Sequence, residues 1–268
     1  LDARHNDGTW LVRMEDLDPP REDPTAAASI LYSLQCHGLL WDEEVLYQSN
    51  RAPAYAHALN TLAQADHVFS CDCSRATLTP GGVCQGNCRA RQARIQAPHA
   101  LRVAVATDCQ IQFTDLLQGL QHTKLGASTA DFVVRRKDGL NAYQLAVVVD
   151  DAEQGITHIV RGSDLLDSTA RQIYLQQLLG CARPRYCHLP VITNEDGQKL
   201  SKQNRAPALI NDAAPHNLRC ALSFLRQAQA PAALTRVQQI LAHAIEHWAL
   251  QQIPATMAIS ATAIGLSS

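Results

Sequence analysis

The 268-residue chain lacks an excess of charge, a long apolar run, an apolar leader and any internal repeat. Its 23 Lys and Arg nearly balance 25 Asp and Glu, for a formal net charge of −2. Composition therefore gives no support for a broadly basic nucleic-acid-binding surface. No stretch approaches the ~20 uninterrupted apolar residues that a membrane-spanning helix needs, so no membrane partner is expected. The first residues, Leu1-Asp2-Ala3-Arg4-His5, are polar and unlike a signal peptide. They also do not include a starting Met, so a fragment or processed product is expected. Nine cysteines do not suggest a disulfide scaffold: Cys36, Cys109, Cys181, Cys187 and Cys220 are scattered through apolar segments and read as packing. A reducing, cytoplasmic setting is expected.

What is present is an alternation of short strands and amphipathic helices, which predicts an α/β fold. Residues 9–14 read as an apolar strand that ends in Glu15-Asp16-Leu17-Asp18-Pro19-Pro20-Arg21, an acidic, proline-broken loop. Asp23-Pro24 predicts a helix start, Ile30, Leu31 and Leu34 its apolar stripe, and Gly38 its stop. A short strand over 45–48 precedes a helix capped by Ser49, with Tyr55, Leu59 and Leu62 on one face. Residues 68–70 read as a strand running into a cysteine cluster. Residues 74–130 change character and read as an insertion with strands near 101–105 and 110–114. The α/β pattern then returns: a strand over 132–135, a turn at Asp138-Gly139, and a long apolar run over 143–149. A segment over 155–160 leads to a polar break at 161–164, and Ser168 caps a helix closed by Gly180. Helices are expected near 215–228 and 234–250, and the tail from Ile253 has no periodic pattern and is expected to be poorly ordered.

Three constellations carry chemistry. Cys71, Cys73, Cys84 and Cys88 form two close thiol pairs with Gly81, Gly82 and Gly86 between or beside them. The set suits a closed, tetrahedral, structural zinc; two disulfides or four separate thiols are the other readings. The carboxylates after residue 14 are costly to pack together without a cation. In an open α/β sheet, ligands sit beyond the carboxyl ends of strands. The coarse pattern puts Glu15, Tyr143 and Arg161 at such ends. Arg161 suits a carboxylate, Glu15 an ammonium, and Tyr143 could orient either. Finally, a short apolar strand over 188–192 and the turn Asn194-Glu195-Asp196-Gly197 deliver Lys199-Leu200-Ser201-Lys202-Gln203. Two ammonium groups and a hydroxyl there could meet one polyphosphate, or simply form a solvated basic turn.

These segments carry a resemblance. Trp10-Leu11-Val12-Arg13-Met14-Glu15-Asp16-Leu17-Asp18 is similar to the Arg-x-Glu-Asp-x-Asp segment of glutamyl-tRNA synthetases. Residues 141–151, with Gly155-Ile156-Thr157 and Arg161-Gly162, resemble that family's second glutamate-site block. Lys199-Leu200-Ser201-Lys202-Gln203 resembles the Lys-Met-Ser-Lys-Ser loop of class I synthetases, and the likeness runs from Leu1 to about Ile210. The most similar branch is the short one that glutamylates queuosine in tRNA(Asp). The cysteine-bearing insertion, the Lys-Gln-Asn loop ending, Asp-Pro-Pro-Arg after the acidic block and the lack of room for a large anticodon-binding domain all agree with it.

The resemblance implies a Rossmann-like class I catalytic domain. Its first part would be residues 1–68, a zinc-bearing insertion 69–130, a second part with the lysine loop 131–210, a helical extension 211–252 and a disordered tail 253–268. It implies glutamate, ATP with Mg²⁺, and tRNA(Asp) carrying queuosine as partners of a monomer. Glu15, Tyr143 and Arg161 would bind glutamate. Lys199, Ser201 and Lys202 would bind ATP, with Lys202 stabilising charge in the reaction. Cys71, Cys73, Cys84 and Cys88 would hold Zn²⁺, an all-sulfur set where the branch often has a Tyr in place of Cys84. The family's first strand and His-x-Gly-His segment have no counterpart, and His57-Ala58-Leu59-Asn60 lies in a helix and does not substitute. The 268 residues alone are therefore expected not to catalyse glutamate-dependent ATP–pyrophosphate exchange. A fragment of an ordinary glutamyl-tRNA synthetase and a non-catalytic, zinc-stabilised RNA-binding protein are the rival expectations.

Overall fold

The computed structural model describes residues 1–18, 23–78, 82, 84, 87–128, 131–201 and 208–261. In chain order the first half carries α1 (Asp2–His5), β1 (Arg13–Met14), α2 (Ala26–Cys36), β2 (Leu46–Tyr47), α3 (Ala52–Gln64), β3 (Val68–Cys71), β4 (Ala100–Val103), β5 (Gln110–Asp115), β6 (Gly119–Lys124) and α4 (Leu125–Ser128). The second half carries β7 (Phe132–Arg135), α5 (Tyr143–Glu153), β8 (His158–Gly162), α6 (Leu166–Leu179), β9 (Arg185–Leu189), β10 (Val191–Thr193), α7 (Ala214–Phe224), α8 (Val237–Glu246) and β11 (Ala258–Ser260). The chain divides into two compact units, Leu1–Tyr47 with Arg161–Asp164 and His188–Ser268, and Gln48–Val160 with Leu165–Cys187.

In the first unit, β1 pairs in parallel with β2, Arg13 opposite Leu46 and Met14 opposite Tyr47. The strand expected over 9–14 is only these two residues long. The preceding backbone still bonds alongside, since Asp42 N–H donates to Trp10 C=O (2.8 Å) and Leu46 N–H to Val12 C=O (3.2 Å). Helix α2 begins two residues later than Asp23-Pro24 predicts. Asp23 instead accepts from the backbone and hydroxyl of Thr25 at 2.9 and 2.7 Å, so it folds the turn before the helix. Ile30, expected in the apolar stripe, is 49% exposed. Gly38, at φ +66°, ends the segment as expected, and a Cβ there would lie 2.6 Å from Val237 Cγ1 and 2.9 Å from Leu241 Cδ1. Leu222, Ala230, Ile240 and Ala244 form the small core beneath α7 and α8. Helix α1 docks there through His5 Nδ1, which donates to Ile245 C=O (2.7 Å), and Trp248 Nε1, which donates to Asp2 (2.9 Å). Strand β11 pairs in parallel with β10. Regular structure at 258–260 departs from the tail read as patternless: three residues are too few to show a period.

In the second unit, α3, α5 and α6 pack on one another. Tyr55, Leu59 and Leu62 are buried on one face of α3, as the spacing predicts. The cap differs: Ser49 lies in a 3-10 turn, Gln48–Asn50, and Arg51 is the N-cap. Asp150 of α5 is fully buried and accepts from Gln48 Nε2 (2.8 Å), Arg51 Nε (3.1 Å) and Tyr55 Oη (2.7 Å). A buried carboxylate is tolerated only with such partners. Arg51 also binds both oxygens of Glu153, which holds the Glu153 carboxyl below the usual carboxylate range.

Two sheets complete the scaffold. One has the order β3-β4-β7, antiparallel throughout, and the other β6-β5-β9-β8. The first is closed at β3 by a side chain. Gln92 accepts from Ser70 N–H and donates to Ser70 C=O, both at 2.8 Å.

Two further departures have physical causes. The apolar run over 143–149 opens helix α5, so Tyr143 stands at a helix start and not at a strand end. Leu145, Ala146, Val147 and Val148 are all buried, and a segment apolar on every side shows neither strand nor helix period. Ser168 is the third residue of α6 and not its cap, because a 3-10 turn over Ser163–Leu165 already leads into the helix. Its hydroxyl accepts from Gln144 Nε2 at 3.1 Å.

Candidate functional site

The set of cysteines that could hold a metal ion is the most local. Cys71 ends β3, Cys73 follows it, Cys84 is returned by an antiparallel bridge to Leu78, and Cys88 opens the 3-10 segment Cys88–Arg94. Asn87 takes φ +50°, a left-handed conformation that Asn tolerates better than most residues, and so turns the chain into Cys88. Of the glycines read as permitting these turns, Gly82 is described, and Gly81 and Gly86 lie outside the described residues. Buried Arg102 holds the loop by donating to the carbonyls of Gly82 and Asp131, each at 2.8 Å.

All four Sγ atoms lie within 4.8 Å of one another, and Cys73 Sγ is 3.5 Å from both Cys84 Sγ and Cys88 Sγ. A disulfide needs about 2.0 Å, whereas a tetrahedron with metal–sulfur bonds of about 2.3 Å has edges of roughly 3.8 Å. The four cysteines fit a metal ion and do not form disulfides. Without a cation, burial pushes the Cys71 and Cys88 thiols up, so four thiolates in this place require a positive charge. Arg91 supplies part of it, donating to Cys88 Sγ (3.4 Å) and gripping the Asp72 carboxylate with both arms. The Arg91 guanidinium in turn holds Asp72 below the usual carboxylate range. Sequence reasoning names the four cysteines that the structure brings together and misses Asp72, Arg91 and Arg102, whose roles depend on contacts across the loop.

The lysine loop is built as expected at its start. Gly197 takes φ +75°, its N–H donates to Asn194 C=O (3.1 Å), and Asn194 Oδ1 accepts from Gln198 N–H (2.8 Å). Leu200 N–H donates to Ile192 C=O at 2.8 Å, which brings Lys199 back beside β10. Lys199 Nζ donates to Asp164 at 2.6 Å, an exposed ion pair. Its charge is thus matched by Asp164 in this structure, and a phosphate would have to displace that carboxylate. Gly162 makes room for it: a Cβ there would lie 2.4 Å from Asp164 Oδ1. Ser201 is half-buried, and Lys202 and Gln203 lie outside the described residues.

Arg161 is part of β8 itself and not of a break beyond it, and its Nε donates to Nε2 of fully buried His188 at 3.0 Å. Glu15 follows β1 directly and is exposed. Glu15, Arg161, Lys199 and Ser201 belong to the first unit, and Tyr143 to the second.

The sequence pattern of the family described as tRNA synthetases class I (E and Q), catalytic domain, matches residues 1–82 and 83–214. The chain belongs to that family. Among the synthetases it is similar to, the glutamyl-Q tRNA(Asp) synthetase of Pseudomonas fluorescens is 50% identical over 262 residues, covering 97% of this chain and 87% of the relative. The synthetase of the same name from Methylococcus capsulatus is 48% identical over 256 residues, covering 94% of this chain and 84% of that one. A glutamate tRNA ligase from Elizabethkingia meningosepticum, solved in complex with its amino acid, superposes with a TM-score of 0.76 at 20% identity. It is matched over 96% of this chain, which spans 61% of that longer protein. The chain thus has the fold of a class I synthetase catalytic domain, and none of its described helices is long and apolar enough to cross a membrane.

Proposed function

We propose that the chain, together with the family's first strand and His-x-Gly-His segment, activates glutamate with ATP and transfers it to the queuosine base of tRNA(Asp) in the cytoplasm, as a monomer. The observation that carries this reading is the 50% identity to a glutamyl-Q tRNA(Asp) synthetase over 97% of the chain. The placement of Arg161, Asp164 and Lys199 in one unit agrees with it. In this mechanism the glutamate carboxylate attacks the α-phosphorus of ATP, giving glutamyl-adenylate and pyrophosphate. A hydroxyl of the queuosine base then attacks the carbonyl carbon of the adenylate, which forms the ester, breaks the acyl–phosphate bond and releases AMP and the hydroxyl proton. No covalent enzyme intermediate is needed. Glu15 holds the glutamate ammonium, Tyr143 orients the amino acid and Arg161 takes a carboxylate with two parallel N–H bonds. Lys199, Ser201 and Lys202 meet the phosphates, and Lys202 stabilises charge that develops on phosphorus and the leaving group. Magnesium accompanies ATP as part of the substrate. Cys71, Cys73, Cys84 and Cys88 hold one Zn²⁺, which ties the insertion together and takes no part in the chemistry.

The test is glutamylation of three RNAs by the protein carrying the family's His-x-Gly-His segment: tRNA(Asp) with queuosine, the same tRNA without it, and tRNA(Glu). Transfer to the first alone is expected, by a linkage that survives removal of the tRNA 3′ end. Charging of tRNA(Glu) at its 3′ end would replace this reading with an ordinary glutamyl-tRNA synthetase. RNA binding without ATP–pyrophosphate exchange, in the presence of the family's His-x-Gly-His segment, would replace it with a non-catalytic binding protein.

A further inference from the structure

Arg161 is held from behind by a buried side chain that takes no part in the reaction steps. His188 lies in β9, the sheet neighbour of β8, and is fully buried. Arg161 Nε donates to its Nε2 at 3.0 Å. For that bond Nε2 must carry a lone pair, so the ring proton sits on Nδ1. The contact uses the inner N–H of the guanidinium. An arginine bonded there by an immobile ring has its plane fixed, and the outer edge that meets a carboxylate in two parallel bonds is fixed with it. A strand-borne imidazole sealed from water is a rigid support, in contrast to a surface partner free to change rotamer.

We propose that His188 is a positioning residue for Arg161, and that it sets the affinity for the substrate carboxylate by fixing the guanidinium plane. This rests on the reading that Arg161 holds a carboxylate of glutamate. His188 touches no substrate. It acts by accepting one hydrogen bond, so a side chain that offers an acceptor at the position of Nε2 preserves the effect. A side chain of similar bulk without an acceptor does not. Glutamine reaches that position, asparagine reaches only as far as Nδ1, and leucine offers nothing.

The experiment is calorimetric titration of the protein, carrying the family's His-x-Gly-His segment, with glutamate and, separately, with ATP, for wild type, His188→Leu, His188→Gln, His188→Asn, Arg161→Ala and the double variant Arg161→Ala/His188→Leu. His188→Leu is expected to weaken glutamate about tenfold and leave ATP unchanged, as loss of one bond that orients a charged group should. His188→Gln is expected to stay within about threefold of wild type, and the double variant to bind glutamate no more weakly than Arg161→Ala, because the two residues act as one unit. Where His188→Leu does not fold, His188→Asn against His188→Gln carries the same comparison. Wild-type glutamate affinity in His188→Leu, or equal losses in His188→Asn and His188→Gln, with Arg161→Ala weakened, overturns the proposal and leaves His188 a packing residue. Unchanged glutamate affinity in Arg161→Ala removes instead the reading of Arg161 on which the proposal stands.

Discussion

Replacing Asp150 should destabilise the second unit more than any other single polar change in α5. The carboxylate is fully buried and accepts three hydrogen bonds, from Gln48, Arg51 and Tyr55. Bonds to a charged acceptor are worth about 1.5–3 kcal/mol each, but three in one cluster do not add independently. Arg51 keeps a second partner in Glu153, whereas Gln48 and Tyr55 are 2% and 0% exposed and lose a charged acceptor where water does not replace it. Breaking a buried charge cluster typically costs about 3–5 kcal/mol, and Asp150→Ala is placed in that range. At about 2–4 °C per kcal/mol for a fold of this size, the unfolding midpoint should fall by roughly 6–20 °C. Asp150→Asn keeps the shape and one acceptor oxygen but turns an NH₂ towards donors, so a smaller loss of about 1–3 kcal/mol is expected. Urea unfolding followed by circular dichroism, with a thermal scan beside it, measures both. A loss below about 1 kcal/mol in Asp150→Ala, at unchanged urea slope, would show that the cluster breaks even with its desolvation and that the reasoning is wrong.

Metal analysis of protein purified without chelator should find about one zinc per chain, and a strong chelator should unfold residues 71–103 before the rest, given the tight binding of structural zinc sites; metal-free protein with four titratable thiols refutes this. Arg91→Leu removes the donor to Cys88 Sγ and should weaken zinc about 10- to 100-fold in a chelator competition; unchanged affinity would confine Arg91 to its pair with Asp72. Gly38→Ala forces a side chain into a left-handed φ and against Val237 and Leu241, and should cost about 1–3 kcal/mol on urea unfolding; a neutral change would mean that α8 yields freely. Hydrogen bonds from Arg4, Arg91 and Arg51 hold Asp42, Asp72 and Glu153 below the usual carboxylate range, so the native state binds fewer protons than the unfolded one. Their stabilisation is complete above about pH 4–4.5 and is lost as pH falls through the lower native values; an unfolding midpoint no lower at pH 3 than at pH 6 contradicts it.

Chemistry carried by a few neighbouring residues is legible in the sequence alone. The cysteine pairs, the Asn194–Gly197 turn and the face of α3 with Tyr55, Leu59 and Leu62 each depend on residues within about a turn or two of chain. What is not legible falls into two kinds. Residues 143–149 are buried along most of their length, so hydrophobicity has no period there and the helix passes for part of a sheet. Asp150 and its partners Gln48, Arg51 and Tyr55 are separated by 95–102 positions, and His188 lies 27 positions from Arg161. No spacing rule links such residues; only the packing of α3 on α5 and the adjacency of β8 and β9 bring them together. Local propensity also fails at the caps. Asp23 and Ser49 have the right chemistry for an N-cap, yet each is spent on the turn before its helix.

The Gln92 amide beside β3 has a consequence for self-association. A strand at the end of a sheet offers bare N–H and C=O groups to any other strand, including one from a second copy of the same chain. Half-buried Ser70 lies on that edge, and both its backbone groups are already engaged by one side-chain amide at 2.8 Å. Gln92 is a one-residue false strand: it fills the register that an incoming chain would need and then stops, since an amide has no further backbone to extend. The same side chain is tied to Cys88 C=O at its other contact, so the blocking group is anchored to the cysteine loop. If the four cysteines hold a metal as proposed, its loss would do more than loosen a local fold. It would release the Gln92 amide from Ser70 and open the β3 edge to pairing, so demetallated protein is expected to self-associate through this sheet more readily than the metal-loaded form.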